Sequence, residues 1–358
     1  METASAIGRA GPIRILIIKL SSLGDIVHAL PVPVSLRASL PGARLAWVVE
    51  KKWLPLVERH PDLDEVFTVD SQSLRQAPRP WGEFRDDIRR LRDFHADVAL
   101  DLQGTVKSAI LTRLSGAAQR VGFAKPVRRE RLAGIAYTRR IDSASAHIVD
   151  QNLDIAAAAV AGGGFRRIDQ FPFPIPAGAQ READAWIASN RVGEFAFLSP
   201  GGGWASKRWP SARYSRLAEL LESQFNLAAV LNRGPGEEQM EQAYRHANAM
   251  RARLFSGDVM ALAAMLQRAR VVIGGDTGPL QLAAALNVPT VALFGPTDPA
   301  RNGPYSQCSR VLRHTAETSY KRKAVYSPSM LAITPEEVAA ACGELLAAGH
   351  GAMEPTTR

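Results

Sequence analysis

Residues 19–25, Lys-Leu-Ser-Ser-Leu-Gly-Asp, link an apolar run at 13–18 to a helical pattern over 26–40. A carboxylate in such a loop has two uses. Asp25 can cap the helix by accepting from unpaired backbone N–H groups. It can also take a proton from a hydroxyl that attacks an electrophile. Ser22 would offer a hydroxyl beside it, and Gly24 an unhindered backbone N–H. His28 falls one turn later on the same face, where it either joins the site or packs in the core.

Other loops suit an anion. Residues 199–210 read Ser-Pro-Gly-Gly-Gly-Trp-Ala-Ser-Lys-Arg-Trp-Pro. The glycine run lets backbone approach a ligand, and Lys207 can reach a diphosphate as a point charge. The bland alternative is a surface loop with solvated cations, against which Trp204 and Trp209 argue. The spacing is not that of a Walker-A loop. Residues 271–279, Val-Val-Ile-Gly-Gly-Asp-Thr-Gly-Pro, run from a buried strand into a helix start. Unpaired N–H groups and the helix dipole favour phosphate there. Thr277 adds a hydroxyl and Gly278 an open N–H. Asp276 either caps the helix or orients the loop, since a carboxylate against phosphate would repel it. Residues 294–299 could close the same pocket. Glu237 or Glu238 would accept from ribose hydroxyls, or would merely favour the start of the next helix.

These loops need strands to present them. Short apolar runs at 13–18, 45–49, 65–69 and 98–102 alternate with helical patterns at 26–40, 52–59, 84–94 and 107–114. That alternation implies βαβ units and a parallel sheet. Three prolines within 169–176 break the series and read as a linker. A second series follows, with strands at 195–199, 228–231, 271–274 and 290–294. Its helices fall at 211–223, 237–248, 258–267, 280–286 and 335–347, the last capped by Thr334 ahead of Pro335. The expected fold is α/β: two Rossmann-like doubly wound domains, 1–175 and 176–358, facing a cleft. The last helix is free to pack back on the first domain. Ligands of such sheets bind beyond the carboxyl ends of the strands.

A chain of 358 residues, 46% hydrophobic and 22% charged, has material for two buried sheets. The net charge of +9 favours an anionic partner. Seven cations (Arg120, Lys125, Arg128, Arg129, Arg131, Arg139, Arg140) meet one acid, Glu130, within 120–140. That stretch reads as a solvated basic face, or as a contact for an anionic acceptor or lipid headgroups. It lacks the aromatic interleaving of a single-strand nucleic-acid binder apart from Phe123 and Tyr137, so no nucleic-acid partner is expected. Cys308 and Cys342 form no metal or disulfide pattern. Asp62-Leu-Asp64 matches a short metal motif but precedes a strand, at the wrong end for the ligand, and reads as a turn. The first eleven residues carry no apolar signal core, and no run approaches the length of a membrane span. A cytoplasmic protein that touches a membrane surface is expected.

The motifs at 19–28, 47–50 (Trp-Val-Val-Glu), 101–108 (Asp-Leu-Gln-Gly-Thr-Val-Lys-Ser), 207–210, 276–278 and 295–299 occur in an order that resembles lipopolysaccharide heptosyltransferases. The second and third look most like heptosyltransferase I. The resemblance implies a glycosyltransferase-B fold and inverting transfer from ADP-heptose to a Kdo–lipid A acceptor at the inner face of the cytoplasmic membrane. It implies no metal and no other cofactor. By motif match, Asp25 takes the catalytic-base position and Lys207 balances donor phosphate, with Asp276, Thr277 and Gly278 in the donor site; Glu238 joins them as a donor candidate from its place after a strand, with Glu237 as the alternative. Where the family carries His three residues after that glycine, this chain has Gln281, a neutral hydrogen-bond donor. Ser22, Gly24, Arg120, Arg128, Arg129 and Arg131 are the acceptor candidates. Rival readings are a transferase for another nucleotide sugar and a non-catalytic nucleotide-sugar binder.

Overall fold

The computed structural model describes residues 11–70, 81–124, 130–160, 163–234, 252–315, 317–319 and 325–351. The chain divides into two compact units, Met1–Pro174 and Ile175–Arg358.

The first unit holds β1 (Arg14–Ile18), β2 (Arg44–Glu50), β3 (Glu65–Val69), β4 (Val98–Asp101), β5 (Gln119–Phe123) and β6 (Arg139–Ile141). They form one sheet in the order β3-β2-β1-β4-β5-β6, and every adjacent pair is parallel. Helices cover both faces, so the central strands are unbroken apolar runs rather than alternating ones. Ile15 to Ile18 and Leu45 to Val49 are fully buried. The helices are α1 (Leu23–Val27), α2 (Pro31–Ser39), α3 (Trp81–Asp93), α4 (Val106–Leu114) and α5 (Ile148–Ala157). The single helix expected over 26–40 is two helices. Pro31 has no N–H to continue α1 but is well suited to open α2, where it holds the first position. The helix expected over 52–59 is a 3₁₀ helix, Lys51–Leu56, with Pro55 inside it.

The second unit holds β7 (Phe195–Ser199), β8 (Ala228–Asn232), β9 (Arg253–Phe255), β10 (Val271–Gly275), β11 (Thr290–Leu293) and β12 (Ser309–Leu312). Their order, β12-β11-β10-β7-β8-β9, repeats the first sheet's order. Its helices are α6 (Ala177–Ser189), α7 (Ser211–Phe225), α8 (Val259–Arg268), α9 (Gly278–Ala285), α10 (Pro299–Asn302), α11 (Pro328–Ala332) and α12 (Pro335–Gly351). Thr334 caps α12 in a reciprocal box: Glu337 N donates to Thr334 Oγ1, and Thr334 N and Oγ1 donate to Glu337 Oε2. The last helix contributes to the core of the second unit. Its Val338, Ala341, Cys342 and Leu345 join the core formed by α7 and the strands. The helix expected over 237–248 lies outside the described residues.

In each sheet the chain starts at the centre, winds to one edge, and returns to wind to the other. The switch points lie between β1 and β4 and between β7 and β10. Loops leaving neighbouring strands diverge there, which opens room for a ligand at the carboxyl ends.

Candidate active site

Lys19 directly follows β1 at the first switch point and is 2% exposed. Its Nζ donates to Leu102 O, just past β4, at 2.7 Å. It stands 4.0 Å from Asp25 Oδ1. The other carboxylate oxygen, Oδ2, accepts from Ser22 N at 3.1 Å and from Ser22 Oγ at 2.9 Å. Ser22, not Asp25, is the cap of α1. Asp25 sits in the first turn, where a carboxylate also suits the helix dipole. Its side chain remains 46% exposed. Lost hydration pushes its pKa up, but the Lys19 ammonium, the Ser22 N–H, His28 and the Ser22 hydroxyl together hold it below the ordinary value of 3.8. Asp25 is therefore ionised at neutral pH and accessible, as a proton acceptor must be.

The loop is braced from β4. Leu20 N and Ser21 N donate to Gln103 Oε1 at 3.1 and 3.2 Å. Gln103 N and Gly104 N donate to Asp101 Oδ1, each at 2.9 Å. Tyr137 Oη donates to Asp101 Oδ2 at 2.8 Å. Gly104 has φ +68°, which glycine adopts without strain. Burial pushes the Asp101 carboxyl up despite these donors. Gly24 lies inside α1, its carbonyl accepting from His28 N. His28 is a core residue, 7% exposed and edge-on to His147 at 5.6 Å.

The second switch point has its own Lys–Asp pair. Lys207 ends the 3₁₀ turn Ala205–Lys207. Its Nζ lies 2.5 Å from Asp276 Oδ2 and 4.4 Å from the centre of the Trp204 ring. The Lys207 and Asp276 side chains are 15% and 11% exposed. Two glycines permit the closeness. A Cβ on Gly274 would lie 2.9 Å from Ser199 O, and one on Gly275 would lie 3.1 Å from Lys207 O. A Cβ on Gly202 would lie 3.8 Å from Thr277 Cγ2. The glycine loop therefore lies on the turn that opens α9, and the contacts that demand glycine are those at Gly274 and Gly275. Gly278 is the first residue of α9, with Pro279 second and Thr277 at the cap.

The hydroxyls of Ser199, Ser206, Thr277 and Thr297 are buried without a protein partner. All four belong to segments that follow or end β7, β10 and β11. A buried hydroxyl without a bond costs about 1–3 kcal/mol, so each of these carboxyl-end hydroxyls, unlike the equally unbonded Thr290 at the amino end of β11, is placed to meet a polar ligand or water. Phosphate oxygens fit that set, with the α9 N-terminus and Lys207 supplying positive charge.

Two sequence-assigned residues have protein partners in the structure. Gln281, placed in the donor site, is 3% exposed and donates from Nε2 to Asn302 O at 2.7 Å. It ties α9 to α10. Arg120, placed with the acceptor, donates from Nε to Ala136 O and from Nη1 to Ala117 O, both at 2.8 Å. It clamps backbone. Glu237, Glu238, Arg128 and Arg129 lie outside the described residues. Arg131 opens the 3₁₀ helix Arg131–Ala136. Asp62 lies in a turn before β3, and Asp64 binds Arg37 and the Leu45 N–H. Among the described residues, no three His, Cys, Asp or Glu side chains gather as a metal set. Sequence reasoning gave no role to Lys19, Gln103, Ser206 or Thr297. The one available signal was a lysine directly at the end of a buried strand, where an unpaired charge is costly.

Two parallel sheets of identical winding, each with acid and lysine at its switch point, define a two-domain α/β enzyme of the glycosyltransferase-B type. The glycosyltransferase family 9 (heptosyltransferase) pattern matches residues 85–329, and the chain belongs to that family. It is 32% identical over 303 residues to lipopolysaccharide heptosyltransferase 1 of Pseudomonas aeruginosa, covering 82% of each chain. It is 28% identical over 316 residues to the enzyme of the same name from Escherichia coli K12, covering 85% of this chain and 94% of that one. The solved structure of E. coli heptosyltransferase WaaC with ADP superposes with a TM-score of 0.72 and 27% identity, over 93% of this chain and 100% of that one. E. coli ADP-heptose lipopolysaccharide heptosyltransferase II has the same fold, with a TM-score of 0.77 at 22% identity over 94% and 100%.

Proposed function

We infer that this glycosyltransferase moves heptose from ADP-heptose to the Kdo–lipid A inner core of lipopolysaccharide, with inversion and without a metal. The observation that carries the reading is Asp25: ionised, half-exposed, and fixed by Ser22 and Lys19 at a switch point. The relatives' names supply the heptose and the lipopolysaccharide. The nucleotide is supported by WaaC, which was solved with ADP bound.

In this reading the donor's diphosphate lies on the α9 N-terminus, beside Lys207 and the Thr277 hydroxyl. Asp276 holds Lys207 in place rather than meeting phosphate. An acceptor hydroxyl at Asp25 attacks the anomeric carbon from the face opposite ADP. The bond from that carbon to the diphosphate oxygen breaks, the proton passes to Asp25, and ADP leaves with its charge balanced by Lys207. One displacement inverts the centre. The cation and helix N–H groups do the work a divalent ion does elsewhere. The acceptor is lipid-anchored, so the reading puts the enzyme in the cytoplasm against the inner membrane face. No described helix is long and apolar enough to cross a membrane.

The test is mass spectrometry after incubation with ADP-heptose, Kdo–lipid A and excess chelator. A single heptose added to the acceptor is expected, and NMR of the new linkage reports inversion. Product only from a different nucleotide sugar would move the donor assignment. Product that vanishes with chelator and returns with a divalent ion would remove the metal-free mechanism.

A further inference from the structure

The 3₁₀ helix Arg131–Ala136 packs its inner residue Ala133, with partly buried Ala136, against Ala109 of α4 and Tyr137. Its outer residues Leu132 and Ile135 are 69% and 76% exposed. Side chains three apart eclipse in a 3₁₀ helix, so these two project together. Ile110, on the α4 helix that this segment packs against, is 48% exposed. Cations border the apolar group. Arg113 follows Ile110 by three residues on α4 and is exposed, as is Arg140 of β6. Arg140 Nε donates to Gly134 O at 3.2 Å, which holds that guanidinium against the 3₁₀ helix. The sequence from 120 to 140 carries seven cations against one acid.

Exposed aliphatic side chains flanked by arginines suit a surface that is apolar inside and anionic outside. A second copy of this chain does not, because a two-fold contact would set the same cations against each other. We propose that this face docks the first unit on an anionic bilayer, with Leu132 and Ile135 entering the acyl boundary and Arg113 and Arg140 meeting lipid phosphates. The inference deepens the reading above, since it names the surface that brings the enzyme to a lipid-anchored acceptor. Apolar insertion and headgroup attraction add, and neither alone gives firm attachment.

The test is flotation of the full-length protein with vesicles of phosphatidylethanolamine and phosphatidylglycerol, against vesicles of phosphatidylcholine. The wild-type chain should float with the anionic vesicles and be released as salt rises. L132S/I135S should lower the partition coefficient about tenfold or more, and R113E about fivefold or more. Both variants should keep wild-type turnover on a detergent-dispersed short-chain acceptor. Equal partition onto phosphatidylcholine, no flotation of the wild type, or wild-type flotation of L132S/I135S each overturns the proposal. So does an oligomer in sedimentation that L132S/I135S dissolves, which would make the face a protein contact. If no chain transfers sugar to the dispersed acceptor but the flotation pattern holds, docking stands and the transferase reading alone falls.

Discussion

Both units place a lysine and an aspartate at the switch point of a sheet wound in the same order, yet the pairs differ. In the first unit the lysine is buried and the aspartate is open, 4.0 Å apart. In the second both are mostly buried and touch at 2.5 Å. The difference follows from what else each lysine binds. Lys19 has Leu102 O at 2.7 Å, so it tunes Asp25 from behind and leaves that carboxylate facing solvent. Lys207 has Asp276 in contact and the Trp204 ring 4.4 Å away, so it stands as a fixed cation beside a helix N-terminus. The same two residue types thus give an open, ionised carboxylate in one unit and a closed ion pair beside a helix N-terminus in the other.

Asp25→Asn tests the first half of that comparison and should have the largest effect. Turnover is expected to fall by about a hundredfold to ten-thousandfold while the melting temperature stays close to wild type. Unchanged turnover in a folded variant would remove Asp25 as the base. Lys207→Met should lower kcat/KM by roughly a hundredfold or more, the scale of losing one preorganised charge on a leaving group. It should also destabilise the fold, because Asp276 would be left largely buried without its cation.

Double-mutant cycles on stability sharpen the contrast. Coupling between Lys207→Met and Asp276→Asn should reach about 1–3 kcal/mol, whereas Lys19→Met with Asp25→Asn should stay below about 1 kcal/mol. Equal couplings would erase the distinction between the two pairs. The pH profile probes the first of them. Asp25 is held below 3.8, so its stabilising contribution is complete above the unfolded value and is lost as pH falls through the lower folded value. Its acid limb in kcat/KM should accordingly lie below pH 3.8. Lys19→Met removes the attraction but not the lost hydration, so the limb should move to higher pH. A limb that stays put would show that Lys19 does not tune Asp25. The smallest effect is expected from Gln281→Ala, a stability loss of about 1–2 kcal/mol with the Michaelis constant for donor unchanged.

Much of the site is legible in the sequence because glycine, proline and buried strands have few uses. Residues 199–210 and 271–279 require backbone that comes close to something, and the structure packs each against the other at Gly202, Gly274 and Gly275. The single helix expected over 26–40 fails because an apolar period continues through Pro31 although the backbone ladder does not. Arg120 reads as an acceptor candidate from its charge, and its backbone partners are not visible in a sequence. Two backbone carbonyls hold it.

Sequence alone determined two α/β series, the carboxyl-end loops and the residue types within them, because periodicity and turn chemistry are local. Only the tertiary structure decided that Ser22 rather than Asp25 caps α1, that Lys19 reaches across to Leu102, and that Gln281 joins α9 to α10. Those outcomes depend on which strands become neighbours. A hydrogen bond between residues 83 positions apart, such as Lys19 to Leu102, has no signature along the chain.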